Sequence, residues 1–178
     1  MDIRGSMVVA DALRCQTETA AAIIENGGDY LLNAKGNQET LANDIRDFAQ
    51  DETFRVEMET EQTCEKSGGR IETRTAFVSD DISWMEEHLP KWQSLSCFGA
   101  INRSFVINGK TSNEWHYYIS SRKLNAKELL KYARFIAPAT TLHNLLLRPK
   151  KRCVFLLASI WDLYRPMLMR LLRFASPW

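Results

Sequence analysis

The opening Met1-Asp2-Ile3-Arg4 has no apolar segment of the kind a secretory signal carries. Nothing here calls for an oxidising compartment either. The chain has four cysteines, Cys15, Cys64, Cys97 and Cys153, and none is spaced as a metal knuckle. Reduced thiols in a cytoplasmic protein are the expectation. The three histidines, His88, His116 and His143, show no ligand spacing, so no metal is assigned to them. A strong basic excess is missing too. The net charge is +1, split unevenly: residues 1–147 hold 16 Lys/Arg against 21 Asp/Glu, and residues 148–178 hold 7 against 1. An acidic body argues against strong DNA binding by overall charge.

What is present is ordinary for a globular chain of one domain's length: 178 residues, 45% hydrophobic and 25% charged. The organising stretch runs from Met7 to Gln38. The apolar run Met7-Val8-Val9-Ala10 ends in Asp11. A helical pattern over Gln16 to Asn26, with Ala20, Ile23 and Ile24 on one face, stops at Gly27-Gly28. A second apolar run, within Asp29 to Ala34, leads into Lys35-Gly36-Asn37-Gln38. Strand, helix and strand with polar residues at both exits is an α/β unit. Ligands of such units gather beyond the carboxyl ends of the strands, so Asp11 and Lys35 are expected to share one site.

Thr40 to Gln50 reads as an amphipathic helix with Leu41, Ile45, Phe48 and Ala49 inward. From Phe54 to Thr60 the alternation of apolar and polar residues predicts a strand. Further strands are expected over Arg70 to Val78, Leu95 to Ile107 and Trp115 to Ser120, with Asn108-Gly109 as a hairpin turn. Ser83 with Glu86 predicts a short capped helix. Asn125 is the expected cap of a helix reaching Phe135, with Leu129, Leu130 and Ala133 inward. Trp84, Trp92 and Trp115 are expected in packing rather than base stacking. Beyond a basic cluster at Arg148, Lys150, Lys151 and Arg152, residues from Val154 to Phe174 fit a helix with one wide apolar face. The tail's longest uncharged run, Cys153 to Trp161, is too short to span a bilayer.

Several strings occur together in one order: Asp11-Ala12-Leu13-Arg14-Cys15-Gln16, Gly27-Gly28-Asp29-Tyr30-Leu31-Leu32 and Lys35-Gly36-Asn37-Gln38. They are followed by Gly69-Arg70-Ile71-Glu72-Thr73-Arg74, Val78-Ser79-Asp80-Asp81, Asn108-Gly109-Lys110-Thr111-Ser112 and Tyr117-Tyr118-Ile119-Ser120-Ser121. Over residues 5–135 the chain resembles the DDE transposases of the H-repeat-associated insertion-sequence group. The resemblance implies DNA as partner, and a ribonuclease-H-like core in which two aspartates and a glutamate surround a divalent metal such as Mg²⁺. It makes Asp11 the second acid of that triad, catalytic and metal-binding.

The expected fold is therefore α/β: a partial ribonuclease-H-like core over 1–53, a β-rich antiparallel insertion over 54–122, a remnant of the glutamate helix over 123–147, and a divergent helical tail over 148–178. Thr140 stands about where the family's glutamate belongs, Leu142-His143 echoes a family Leu-His, and no acid lies between Glu128 and Asp162. The expectation is a truncated, inactive remnant of a transposase. The competing class is a non-catalytic protein that associates with an intact transposase or a membrane surface, although the tail is better read as sequence without a selected function.

The candidate residues have plainer readings beside the functional ones. An acid after a short strand is commonly a helix cap or a solvated loop residue. Lys35, Asn37 and Gln38 can hold phosphate oxygens, or can form a polar turn capping the next helix. Arg70, Glu72 and Arg74 share one strand face. Arg70 and Arg74 there can contact a DNA backbone, or pair across strands on a solvated face.

Overall fold

The computed structural model describes residues 2–67, 70–107 and 110–136, together with the backbone of 153–155. Strand β1 (Met7–Ala10) is followed by α1 (Thr17–Glu25) and β2 (Asp29–Ala34). The two strands pair in parallel, Met7 opposite Asp29 and Ala10 opposite Leu32. That is the α/β unit the sequence predicts, since a parallel pair needs a crossover of about this length. Helix α1 ends because Gly27 adopts φ +74, a region open to glycine at little cost. The Gly27 and Gly28 amides then donate to the carbonyls of Ile24 and Ile23, at 2.9 and 3.0 Å.

Helix α2 (Glu39–Gln50) buries Leu41, Ala42, Ile45 and Ala49. The strand predicted from Phe54 does not form there. Asp51 caps a one-turn helix, α3 (Glu52–Arg55), accepting the Thr53 amide at 2.7 Å. A turn then buries Met58, and β3 (Glu59–Ser67) begins only after it. The alternation was real, but an Asp cap three residues ahead of it overrode it. Ser83 also behaves otherwise than predicted. Its amide and hydroxyl both donate to Asp81, at 3.1 and 2.6 Å, so Ser83–Met85 forms a single 3-10 turn without the expected cap.

Strands β4 (Arg70–Ser79), β5 (Cys97–Ile107) and β6 (Lys110–Ser120) run antiparallel in succession from β3. They are continuous with the first unit, because β6 pairs antiparallel with β2, Asn33 opposite Tyr118. A three-residue strand, β7 (Cys153–Phe155), lies parallel to β1 on its other side. The sheet order is β3-β4-β5-β6-β2-β1-β7. One expectation is corrected here. Val154 and Phe155 extend as strand instead of opening a helix. The outer edge of β1 is paired by this segment, since a free row of N–H and C=O groups accepts a β-prone strand. Thr140, His143 and the rest of the predicted tail helix lie outside the described residues.

Each face of the sheet has its own cover. Val8, Ala10, Tyr30, Leu32, Phe98 and Ile119 point to the side packed by α1, α2 and the segment carrying Met85 and Trp92. There Trp84 stacks on Phe48 with ring centroids 4.9 Å apart, and Trp115 stacks on Phe77, so the tryptophans pack as expected. Met7, Val9, Leu31, Ala76, Ile101 and Tyr118 face the other way, toward α4 (Ala126–Ala133). Helix α4 starts with the predicted cap: Asn125 accepts the Glu128 amide at 2.8 Å and the Glu128 carboxylate accepts the Asn125 amide at 3.2 Å. It sits so close that a Cβ on Gly99 would lie 2.7 Å from Leu129 Cδ2 and 2.9 Å from the Phe77 carbonyl. Only glycine lets the helix approach there.

Candidate functional site

Side chains alternate along a strand, so parity decides which residues meet. On β1 the face of Met7 and Val9 continues to Asp11. On β2 the face of Leu31 and Asn33 continues to Lys35. The pairings of β6, β5 and β4 add His116 and Glu114, then Ile101 and Arg103, then Arg74 to the same side. Helix α4 covers the apolar half of this face. The polar half forms an open cleft of about 480 Å³ lined by Asp11, Lys35, Arg74, Arg103, Glu114 and His116, among others. Asp11 and Lys35 therefore share one site, as their positions at strand exits require, and Arg74 belongs to it.

Asp11 precedes the 3-10 turn Ala12–Arg14, but its carboxylate makes no capping hydrogen bond. Its side chain makes no hydrogen bond or ion pair within the described residues, so Asp11 is no cap, while the other plain reading, an exposed loop residue, fits it. Next to it Leu13 stands 81% exposed on the rim. The loop is held from the neighbouring strand exit. Asn37 Nδ2 donates to the carbonyls of Ala12 and Cys15, the latter at 3.0 Å, and Gln38 Nε2 donates to Cys15 O at 3.2 Å. Neither amide caps α2 through its side chain. Asn37 and Gln38 thus lock the two loops together and leave Lys35 as the open donor of its segment.

Arg74 and Arg103 both donate through Nε to Glu72 Oε1, each at 2.6 Å. Burial alone would raise the Glu72 carboxyl, but these two hydrogen bonds and the charges of both guanidinium groups together hold it below its usual value. Arg74 thus pairs with Glu72 on its own strand, and the pairing across strands runs between Glu72 and Arg103 of β5. Two guanidinium groups share this one carboxylate, so the three groups together keep one positive charge. Arg70 begins β4, and its side chain lies outside what is described. Across β6, Glu114 lies 3.9 Å from Arg103 Nη1 and 3.7 Å from His116 Nε2. Burial pushes the His116 imidazole below its ordinary value, with Lys35 as the next cause in the same direction. Asn33, 6% exposed, lines the cleft, and its Oδ1 has no hydrogen-bond partner among the described residues.

These residues do not make a complete site for Mg²⁺. A hard cation takes several oxygen ligands. Among the described residues there is no group of three His, Cys, Asp or Glu side chains that could hold a metal. Asp11 stands alone as an open carboxylate with Lys35 in the same cleft, and Glu114 already faces Arg103 and His116. Cys15, Cys64 and Cys97 are free thiols, and burial raises Cys15 to about 12 and Cys97 to about 11, which keeps both protonated. No described helix is long and apolar enough to cross a membrane.

Arg103, Glu114, His116 and Asn33 were not singled out from the sequence, yet a signal existed. A two-residue turn at Asn108-Gly109 makes Ile107 face Lys110, and counting back opposes Arg103 to Glu114 and Ile101 to His116.

Known proteins show the same pattern of relationship. The chain is 38% identical over 120 residues, 67% of its length, to a protein of Xanthobacter autotrophicus named "Uncharacterized protein in dhlA 3'region", covering 40% of that relative. It is 33% identical over 133 residues, 72% of its length, to YhhI of Escherichia coli (strain K12), covering 35% of it. It is 38% identical over 81 residues, 45% of its length, to YbfD of the same strain, covering 32% of it. YhhI and YbfD are both named "H repeat-associated putative transposase". The chain thus spans about a third to two fifths of the length of these relatives. No family model and no solved structure matches it.

Proposed function

Since the chain is a relative of the H-repeat-associated transposases, we propose that it handles DNA in transposition, holding a stretch of phosphodiester backbone in the cleft between Asp11 and Arg74. The observation that carries this reading is convergence. Lys35, Arg74 and Arg103 come from three different strands and reach one open groove beside Asp11. Arginine and lysine positioned on a rigid sheet suit phosphate oxygens, and such contacts fix register without reading sequence. The body as a whole is acidic, so the attraction is local to this row and sensitive to salt. The parallel β1–β2 unit with Asp11 at its exit supports reading 1–53 as part of a ribonuclease-H-like core.

Cleavage is a separate matter. Metal-dependent strand transfer needs clustered carboxylates to hold cations against the nucleophile and leaving oxygen. The described residues offer Asp11 alone for that work, and a Mg²⁺ site there would need further oxygen ligands from elsewhere. Our reading is that this chain binds DNA and does not cut it unaided.

The test uses the full chain with a fluorescent duplex and with supercoiled plasmid in Mg²⁺ or Mn²⁺. We expect salt-sensitive binding in the anisotropy assay and no nicking above background. Asp11→Ala should bind DNA at least as well as the native chain, because it removes a negative charge from the cleft. Absence of binding at low salt overturns the DNA-backbone reading. Nicking that disappears in Asp11→Ala overturns the non-cutting one.

A further inference from the structure

His116 stands in the cleft without a role in the reading above. It extends from β6 on the same face as Tyr118 and Glu114, and continuing the β2–β6 register past Ala34 opposite Tyr117 sets it across from Lys35. Its side chain is 24% exposed and lines the groove. Among the described residues, the charged groups that line the cleft with it are Lys35 at the exit of β2, Glu114 on its own strand, Arg103 on β5 and Arg74 on β4, Asp11 at the exit of β1, and Arg134 after α4. Arg134 is engaged by Glu65, and Arg74 and Arg103 by Glu72.

We propose that His116 is a proton-linked ligand of the DNA backbone, taking up a proton when a phosphodiester enters the cleft between it and Lys35. This rests on the reading of the cleft as a phosphate-binding groove. The physical argument is a balance of charges. In the empty cleft, burial together with the nearby Lys35 and Arg103 cations disfavours the imidazolium, while Glu114 at 3.7 Å favours it. A phosphate seated on Lys35 cancels much of that repulsion and supplies a counter-charge at the ring. The charged ring then donates to the phosphate from a nitrogen that the neutral tautomer leaves without a proton.

The sign follows from linkage. The anion prefers the protonated form, so it raises the pKa of His116 in the complex above that of the free protein. Affinity therefore climbs as pH falls through the bound-state value, and levels off below the free-state value. That free-state value lies below the ordinary imidazole value, because burial and the nearby Lys35 disfavour the charged ring. Each unit by which the anion raises the pKa strengthens binding about tenfold at low pH. No other group is asked to titrate, because lysine, arginine and phosphodiester keep their charge across this range.

The test is the affinity of the full chain for a short fluorescent duplex at fixed ionic strength, from about pH 8 to about pH 5.5. Native protein, His116→Gln and His116→Lys are compared. We expect native binding to tighten about tenfold on acidification. The His116→Gln profile should stay flat by comparison, and His116→Lys should bind tightly already at the alkaline end. Equal steepness in native protein and His116→Gln overturns the inference while leaving the DNA-binding reading intact. No binding by any of the three at any pH overturns both. Tight but still steeply pH-dependent binding by His116→Lys also counts against it, since a permanent cation there removes the proton step.

Discussion

Lys35→Glu should weaken DNA binding by more than tenfold near 0.1 M salt. Each phosphate contact contributes a slope of about 0.9 in log affinity against log salt, which is close to tenfold at that concentration. Reversing the charge adds repulsion to the lost contact. Lys35 is the cation best placed to show this. Among the described residues its ammonium has no ion pair of its own, whereas Arg74, Arg103 and Arg134 are each engaged by a carboxylate. It is also exposed and follows the last residue of β2, so the fold should tolerate the change to within about 0.5 kcal/mol. The measurement is anisotropy at several salt concentrations, with urea unfolding as the control for stability. Lys35→Gln should fall between the two and lower the salt slope by about one. An unchanged slope would remove Lys35 from the DNA contact.

Trp92→Ala should cost the fold about 3–5 kcal/mol. Trp92 is 2% exposed and belongs to the core cluster beneath α1 and α2. The segment between β4 and β5 that carries it is built of short turns, with Ser83–Met85 as its one regular piece. Such a segment is held by what it buries. Met85, Trp92 and Leu95 go into the core, the Tyr30 hydroxyl donates to the Gln93 carbonyl at 3.1 Å, and His88 Nε2 meets Asp44 of α2 at 2.7 Å. Removing the indole leaves a cavity that these fixed neighbours cannot close. Urea unfolding should show a large drop in midpoint. A loss below about 1 kcal/mol would mean that the segment is not part of the cooperative core.

The legible parts of this protein are those where one residue pattern has one physical outcome. The run from Met7 to Ala34 forms its parallel pair because each strand is short, apolar and closed by a polar exit, with a glycine stop between them. That placed Asp11 and Lys35 together before any coordinates. Period-two spacing put Arg74 on one strand face with Glu72, but it did not place that face in the cleft. What failed was local competition. The alternation from Phe54 to Thr60 was overridden by the Asp51 cap, and the Ser83 cap gave way to Asp81, whose carboxylate accepts both the Ser83 amide and its hydroxyl. The bonding of Asn37 and Gln38 was not readable at all, because their partners, the carbonyls of Ala12 and Cys15, lie on a loop more than 20 residues away. His116 and Arg103 fell between these cases. The hairpin register that brings them into the cleft was in hand, but it was used only to place a turn.

Where DNA lies on the protein decides the account most directly. A photo-crosslinking side chain in place of Leu13, 81% exposed at the cleft rim beside Asp11, is compared with one in place of Val56, 84% exposed and outside the cleft. The two positions are equally open to solvent, so collision alone treats them alike. The account predicts salt-sensitive crosslinking of a duplex at position 13 and only background at position 56. Equal yields at both, or crosslinking at 56 alone, would contradict it.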